Sequence, residues 1–203
     1  MLSPLTGSLG PLGMKRGSAA AAGPLILDQF TDTNGTSLSA HTIAPTNTPA
    51  TAWTIRQGTF TIQSNRAQAS TGFSDFVTLQ AGIADGTFSV IVIPTADSLT
   101  NGVDQGIILR QTDTSNYVEV VIQGNSFRAF EVSGGFTLKD SEAVAITAGV
   151  SYTIEVIVSG SSYTATLNGG SALSFTSTKN QTTVRHGLNG SNSTQFDDFT
   201  ISA

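Results

Sequence analysis

Hydrophobic and polar residues alternate along most of this chain in short runs that end at turn-forming residues. The clearest runs are Gly106–Arg110, Tyr117–Gln123 and Phe127–Val132, and the residues between them are rich in Asp, Asn, Ser and Gly. Alternate residues of the second run, starting with Val118, share one face of an extended strand. This period of two predicts a half-buried antiparallel meander, because successive side chains of a strand point to opposite faces of the sheet.

The same pattern continues on both sides of this stretch and predicts about a dozen strands in all. The further predicted strands are Leu25–Phe30, a pair within Trp53–Ile62, Arg66–Ser70, Asp75–Gln80, Gly86–Pro94, Phe136–Leu138, Ser151–Ser159, Tyr163–Leu167, Ala172–Phe175, Val184–Leu188 and Phe196–Ser202. Turns recur about every 8 to 12 residues, which is the spacing of a two-sheet sandwich with essentially no helix.

Two features of this pattern are specific enough to check. The break at Gln57–Gly58 predicts a hairpin, and the apolar residues on both faces of Gly86–Pro94 predict a central strand that is covered on both sides. The predicted core consists of Val90, Val92, Leu109, Val118, Val120, Ile154, Val156, Phe199 and Ile201, with Trp53 packed against them.

The amino-acid composition argues against several classes of function. Only 11% of the 203 residues are charged, and the net charge is −5. This balance argues against binding to nucleic acid, which requires clustered Lys and Arg. There is no cysteine, so no disulfide or thiolate metal site is expected. We also expect no membrane span, because no apolar stretch is long enough, and no signal peptide, because the apolar run 19–22 is too weak.

Residues 1–24 differ from the rest of the chain. Leu2, Leu5, Leu9, Leu12 and Met14 are interrupted by prolines and glycines, so neither a helix nor a strand can propagate. We interpret this segment as an extended arm whose five apolar residues bind neighbouring protein, and residues 25–203 as one β-sandwich domain.

Several motifs in residues 25–203 resemble those of the concanavalin A-like lectin/glucanase superfamily, in its LamG-like group. The motifs are Asp28-x-Phe30, Asn34–Gly35, Trp53, Gly58–Phe60, Gly106–Arg110, Asp113, Asn116–Tyr117, Gly187–Leu188 and Phe196–Phe199. The resemblance implies an all-β, two-sheet antiparallel jelly-roll sandwich whose first and last strands lie side by side. Such domains occur on bacterial surface proteins, as accessory modules of secreted enzymes and on phage particles.

The catalytic signature of that superfamily is missing. Its enzymes carry Glu-x-Asp-x-x-Glu on one strand, and none of the four glutamates here lies in that motif. Glu119 and Glu131 are expected to share a surface from neighbouring strands, as solvated side chains. His41 and His186 have no partner at a catalytic spacing, so we expect no enzymatic activity.

The sequence offers candidate residues for two kinds of binding site, one for calcium and one for a glycan. Asp28, Asp197 and Asp198 would come together where the first and last strands meet and would offer oxygen ligands to calcium. The alternative is that Asp28 and Asp198 accept hydrogen bonds from backbone amides. A glycan site would need exposed aromatic rings. Trp53 is expected in the core, and the tyrosines form no cluster along the sequence, so the glycan-binding residues remain unknown.

The leading hypothesis is a non-enzymatic structural protein of a phage particle: a head decoration, fibre or tail accessory protein of the virion. The arm would anchor it to other phage structural proteins and to copies of itself, for example in a trimer, and the sandwich would project towards host-surface glycans. The alternative is a free carbohydrate-binding module or adhesin.

Overall fold

The computed structural model describes residues 25–43 and 52–203, and the regular secondary structure of this part of the chain consists of strands apart from one short helix. In chain order the elements are β1 (Ile26–Asp28), β2 (Thr54–Gln57), β3 (Phe60–Ile62), β4 (Ala67–Ala69), β5 (Asp75–Gln80), β6 (Gly86–Ile93), α1 (Ala96–Thr100), β7 (Asp104–Asp113), β8 (Asn116–Gln123), β9 (Ser126–Ser133), β10 (Phe136–Ala143), β11 (Tyr152–Ser159), β12 (Ser162–Leu167), β13 (Ser171–Thr176), β14 (Arg185–Gly190) and β15 (Gln195–Ser202). The predicted all-β class is confirmed.

The strands form two antiparallel sheets that pack as a sandwich. The eight-stranded sheet has the order β13-β12-β11-β6-β15-β4-β3, with β1 paired to β15. The seven-stranded sheet has the order β10-β9-β8-β7-β14-β5-β2. Strand β6 is central, as predicted, because it pairs with both β11 and β15. Only one of its faces is fully covered, however, since Ser89 and Ile91 on the other face are only partly buried.

The main core lies between the two sheets. All nine predicted core residues are at most 2% exposed, as is Trp53, and all belong to this one cluster. The alternation in β11 is strict, with buried and exposed residues taking turns along its whole length. The sequence pattern therefore predicted the core face of these strands correctly.

The predicted hairpin at Gln57–Gly58 is wrong. Strand β2 belongs to the seven-stranded sheet and β3 to the eight-stranded sheet, so the chain crosses between sheets at Gly58. Gly58 has a φ of 68°, and a Cβ there would lie 1.6 Å from Oδ1 of Asp75. The break therefore marks a close crossing that only glycine allows, whereas sequence alternation on both sides looks the same as in a hairpin.

The predicted meander exists as β7-β8-β9-β10, but it is not half-buried. Six successive residues of β8, Tyr117 to Ile122, are buried, so both faces of this strand are covered. The sequence pattern also did not predict the short helix α1, which is the one helix among the described residues. Thr95 caps it by accepting a hydrogen bond from the backbone amide of Ser98, a local interaction that sheet periodicity does not reveal.

The first and last strands lie side by side, as the resemblance implies. Asp28 of β1 pairs with Phe199 of β15. Phe30 lies just beyond the end of β1, and its ring is 5.9 Å from that of Trp53, which in turn packs edge-on against Phe199 at 5.1 Å. Among the helices of the described residues, none is long and apolar enough to cross a membrane.

Candidate binding site on the seven-stranded sheet

The seven-stranded sheet carries a second apolar cluster on the face turned away from the core, called here the outer face. It consists of Phe76, Ile108, Tyr117, Val121, Phe130 and Val132. Cross-strand pairing places Tyr117 opposite Val132 and Ile108 opposite Glu119 on this face. These six side chains are at most 8% exposed, so they form a packed second cluster rather than a solvated face. A large apolar cluster outside the main core marks this side of the sandwich as the place to look for a binding surface.

Arg110 fixes the end of strand β7 beside this face. Its side chain is fully buried and its φ is 52°, and the pairing of β7 with β8 is interrupted at this point. The guanidinium donates hydrogen bonds to the hydroxyl of Tyr163 at 2.9 Å and the carbonyl of Gly160 at 2.8 Å, and forms an ion pair with Asp85. These bonds attach Arg110, which precedes the tip of the β7–β8 hairpin (residues 112–116), to residues of the eight-stranded sheet and its loops.

The same hairpin tip is tied to the neighbouring β9–β10 turn. The backbone amide of Gly134 donates to the carbonyl of Ser115 at 2.8 Å. The ammonium group of Lys179 donates to Oδ1 of Asn116 at 2.7 Å and to the hydroxyl of Ser133 at 2.9 Å. Two turns that are separate in the sequence therefore form one wall.

This wall borders a groove of about 260 Å³, called here the aromatic groove. Its lining residues are Gln57, Ser74, Phe76, Thr114, Ser115, Tyr117, Val132, Gly134, Gly135 and Phe136. Phe136 is 60% exposed, and its ring contacts that of Phe130 edge-on at 5.8 Å. The groove thus combines an exposed aromatic ring with hydroxyl, amide and backbone groups, the combination found in sites that bind small polar ligands.

Below the groove, the outer face contains polar groups with unused hydrogen-bonding capacity. Nδ2 of Asn189 donates to Oε2 of Glu119 at 2.8 Å. Oε1 of Glu119, Oδ1 of Asn189 and the hydroxyl of Thr78 are buried and have no hydrogen-bond partner among the described residues. Buried polar atoms are normally paired, so such a group of acceptors is typical of a surface that binds ordered water or a ligand.

Burial also controls the charge of this face. Burial raises the pKa of Glu119 well above its ordinary value, and the nearby carboxylate of Asp104 raises it further. Burial likewise raises the pKa of Asp104 to about 6, although the hydrogen bond from Gln123 and the charge of Arg128 oppose the shift. The raised pKa of Glu119 favours its neutral form, since burial penalises an uncompensated charge.

Glu119 and Glu131 do not share a surface, contrary to the sequence expectation. Glu131 pairs with Val118 and Glu119 with Phe130, so the two carboxyls lie on opposite faces of the sheet. Glu131 accepts a hydrogen bond from the hydroxyl of Ser177 at 2.7 Å. No carboxyl of this pair lines the aromatic groove. The described residues therefore do not arrange these two glutamates as a catalytic pair.

The proposed calcium ligands have other partners. Asp28 accepts hydrogen bonds from the backbone amide of Phe30 and from Trp53, and Oδ1 of Asp198 accepts one from Gln29. Arg66 lies 3.8 Å from Asp197. No group of three or more His, Cys, Asp or Glu that could hold a metal occurs within residues 25–43 and 52–203. The calcium site stays a prediction that this geometry does not support.

Among the aromatic candidates, only Tyr117 lines the groove. Trp53 is buried, as expected. Tyr152 is buried and its hydroxyl accepts from the amide of Thr147, and Tyr163 stacks on Phe175 at 4.8 Å. The most exposed aromatic ring of the groove, Phe136, was not among the candidates, because a phenylalanine after a glycine turn looks like any other strand residue. The arm residues Leu2, Leu5, Leu9, Leu12 and Met14 lie outside the described residues.

Comparison with known proteins identifies the fold rather than a family. No family model matches the chain, and no curated protein matches it. Among solved structures, the carbohydrate-binding module CBM66 from Bacillus subtilis superposes with a TM-score of 0.65 at 15% identity, over 74% of this chain and 95% of that one. The fold is that of a lectin-like jelly roll.

Two further solved structures contain a domain whose fold is similar to that of this chain. The GH43 protein BlXynB from Bacillus licheniformis has a TM-score of 0.54 at 15% identity, over 74% of this chain but only 37% of that one. The binding domain of botulinum neurotoxin serotype D has a TM-score of 0.52 at 9% identity, over 83% of this chain and 48% of that one. At these identities the likeness concerns the fold alone, and function has to be inferred from the site.

Proposed function

We propose that this protein is a non-enzymatic, lectin-like module that binds a glycan in the aromatic groove of its seven-stranded sheet. The observation that carries the proposal is the exposed ring of Phe136 beside the polar lining of the groove. Sugar rings present C–H groups on their faces and hydroxyls around their edges, so they suit a site that offers an aromatic ring and hydrogen-bonding groups together. The structural similarity to CBM66, a carbohydrate-binding module, supports this choice.

The setting we propose is the surface of a phage particle. Residues 1–24 would anchor the chain to other virion proteins and to its own copies, and the sandwich would face the host surface. The support is the composition of that segment, with its regularly interrupted leucines, together with the LamG-like resemblance of residues 25–203. A free carbohydrate-binding module remains the alternative, and it uses the same groove.

Affinity electrophoresis of the full-length chain tests the glycan proposal. The gels contain dextran, xylan, laminarin or polygalacturonate in turn. We expect at least one polysaccharide to retard the chain, and Phe136→Ala to abolish the retardation. Ile157→Ala is the matched control, because Ile157 is 48% exposed but lies on the other sheet. Equal retardation of the wild type and Phe136→Ala would refute the groove as the site.

Enzymatic activity is tested in the same samples. A non-enzymatic module releases no reducing sugar from a polysaccharide that retards it. Release of reducing sugar by the wild type that is lost in a Glu119→Gln variant would show instead that the protein is a hydrolase.

A further inference from the structure

A second groove lies next to the aromatic groove, and its chemistry is different. It has a volume of about 310 Å³ and is lined by Ile55, Arg56, Thr112, Asp113 and Thr114. We call it the arginine groove. Thr114 lines both grooves, so a ligand longer than one sugar ring can reach from one to the other.

An irregularity in strand β2 places Arg56 in this groove. Ile55 pairs with Val77 and Gln57 pairs with Phe76, so Arg56 is an extra residue between two paired positions. A bulge of this kind turns a side chain away from the direction that regular pairing would give it, and bulges are common beside binding sites. Within the described part of the chain, Arg56 forms no ion pair or hydrogen bond.

A second guanidinium approaches the same groove. Arg185 of β14 donates a hydrogen bond at 3.0 Å to the carbonyl of Thr112, one of the lining residues. Burial lowers the pKa of Arg185, and the positive charge of Arg56 lowers it further, as expected where two positive charges lie near each other. Two such groups side by side are unexpected in a chain whose net charge is −5.

The one carboxylate of the groove does not neutralise this pair. Oδ1 of Asp113 accepts hydrogen bonds from the backbone amide of Ser115 at 2.8 Å and from Asn116 at 2.9 Å, and Oδ2 accepts from Asn116 at 3.0 Å. Asp113 therefore shapes the hairpin tip, and it forms no ion pair with either arginine. The positive charge of the groove remains available to a ligand.

We propose that the arginine groove binds an anionic substituent, a carboxylate or a sulfate ester, of a glycan whose neighbouring sugar ring occupies the aromatic groove. A guanidinium group matches these anions, because its planar N–H groups can donate two parallel hydrogen bonds to two oxygens. The anion also relieves the repulsion between Arg56 and Arg185. This inference rests on the proposed glycan binding and adds the class of glycan.

The test compares three soluble probes on the full-length chain by isothermal titration calorimetry: dextran, which is neutral, polygalacturonate, which carries carboxylates, and dextran sulfate. We expect an anionic probe to bind more tightly than dextran. Arg56→Gln should weaken that binding about tenfold or more, since a hydrogen bond between charged partners contributes at least the free energy of a tenfold change in affinity. Arg56→Lys, which keeps the charge but loses the planar fork, should recover only part of the affinity.

The matched control is Arg66→Gln, which removes the same charge from a side chain that lies next to Asp197, away from both grooves. It should bind like the wild type. Polygalacturonate and dextran sulfate distinguish carboxylate from sulfate as the anion.

Two results would overturn the inference. In the first, dextran binds as tightly as both anionic probes, and its binding is lost in Phe136→Ala but unchanged in Arg56→Gln. This result would leave the glycan proposal standing and remove the anionic subsite. An equal loss of affinity in Arg56→Gln and Arg66→Gln would show that only net charge matters. Failure of all probes and of the gel panel would count against the glycan proposal itself.

Discussion

The carboxylate of Asp28 accepts a hydrogen bond of 2.7 Å from the indole nitrogen of Trp53. Asp28 is the last residue of β1 and Trp53 the residue before β2, so this bond joins the first strands of the two sheets. Oδ1 of Asp28 also accepts from the amide of Phe30 at 2.8 Å and lies 3.0 Å from Nε2 of His41. One buried carboxylate therefore organises the edge of the core where the first and last strands meet.

We predict that Asp28→Asn destabilises the domain strongly. Trp53 donates to one oxygen of Asp28, whereas Phe30 and His41 lie on the other. Asparagine keeps only one acceptor oxygen, so its NH2 group faces a donor on one side, and each unpaired buried polar group costs about 1–3 kcal/mol. Urea unfolding followed by Trp53 fluorescence measures the change. Asp198→Asn is the control, because that side chain accepts only an exposed hydrogen bond from Gln29. Equal stability of the two variants would contradict the role of Asp28.

His41 should make stability depend on pH. Burial lowers its pKa, but hydrogen bonds and charges from Asp28 and Asp32 raise it more, so the net pKa lies above the ordinary value. A raised folded-state pKa stabilises the protein fully below the unfolded value of about 6.5, and this contribution is lost as the pH rises through the folded-state pKa. The difference in melting temperature between wild type and His41→Gln should therefore be larger at about pH 5.5 than at about pH 9. A constant difference would contradict the ion pairs.

His186 should have the opposite pH dependence. Burial lowers its pKa to about 4, and the ring accepts a hydrogen bond from the amide of Arg110, which requires the neutral form. Its contribution is present above the unfolded value of about 6.5 and is lost as the pH falls towards 4. His186→Gln should thus lose less stability than the wild type between about pH 7 and pH 4.5, as measured by thermal unfolding. A steeper loss in the variant would refute this assignment.

Gly187 should tolerate no side chain. A Cβ at this position would lie 1.9 Å from the carbonyl oxygen of Val77 and 2.6 Å from Cα of Thr78, both backbone atoms of the paired strand β5. We predict that Gly187→Ala separates β14 from β5 and greatly lowers the melting temperature. Gly135→Ala, where a Cβ meets nothing within 4 Å, should melt like the wild type. A fully stable Gly187→Ala would mean that the strands are not paired in this register.

Strand β11 offers a matched pair for the core. Ile154 is fully buried, whereas Ile157 on the same strand is 48% exposed. Ile154→Ala should cost about 2–5 kcal/mol, the range for a buried isoleucine. Ile157→Ala should stay within about 0.5 kcal/mol of the wild type. Denaturant unfolding of both variants checks the register, since a shift by one residue would exchange the two results.

Periodicity predicted most of the fold because each strand buries one face against the core. The strands around Val120 and Ile154 alternate regularly, so their core residues could be read from the sequence. The crossing at Gly58 could not, since it depends on the approach of Asp75, which is distant in the chain. The second covered face of β8 was also missed, because a strand buried on both sides loses its alternation.

The candidate site was much harder to predict than the fold. The aromatic groove brings Phe136 and Tyr117 next to Gln57, from strands on opposite sides of the seven-stranded sheet. No local spacing connects these residues. His41 seemed to lack a partner for the same reason, although its ring lies between the carboxylates of Asp28 and Asp32. Turn chemistry indicates where a chain reverses but not which turns meet.

The last prediction concerns residues 1–24, on which the proposed attachment to a phage particle depends. Because prolines and glycines disfavour a helix or a strand, we predict that the leucines of this segment bind neighbouring protein. Each leucine buried there contributes about 1.5–3 kcal/mol, while ordering each backbone residue costs about 1–2 kcal/mol. One arm is therefore too weak an anchor, and several arms acting together, as in a trimer, are required.

We therefore expect deletion of residues 1–24 to leave the melting temperature unchanged but to prevent incorporation into the particle. Sedimentation should also show a smaller assembly for the truncated chain than for the full-length chain. A second variant keeps residues 1–24 but replaces Leu2, Leu5, Leu9 and Leu12 by Ser. It distinguishes the effect of the leucine side chains from the effect of segment length, and it should behave like the deletion. Normal incorporation of the truncated chain would rule out anchoring by this segment. In that case the free carbohydrate-binding module becomes the better description, because glycan binding in the aromatic groove requires no arm.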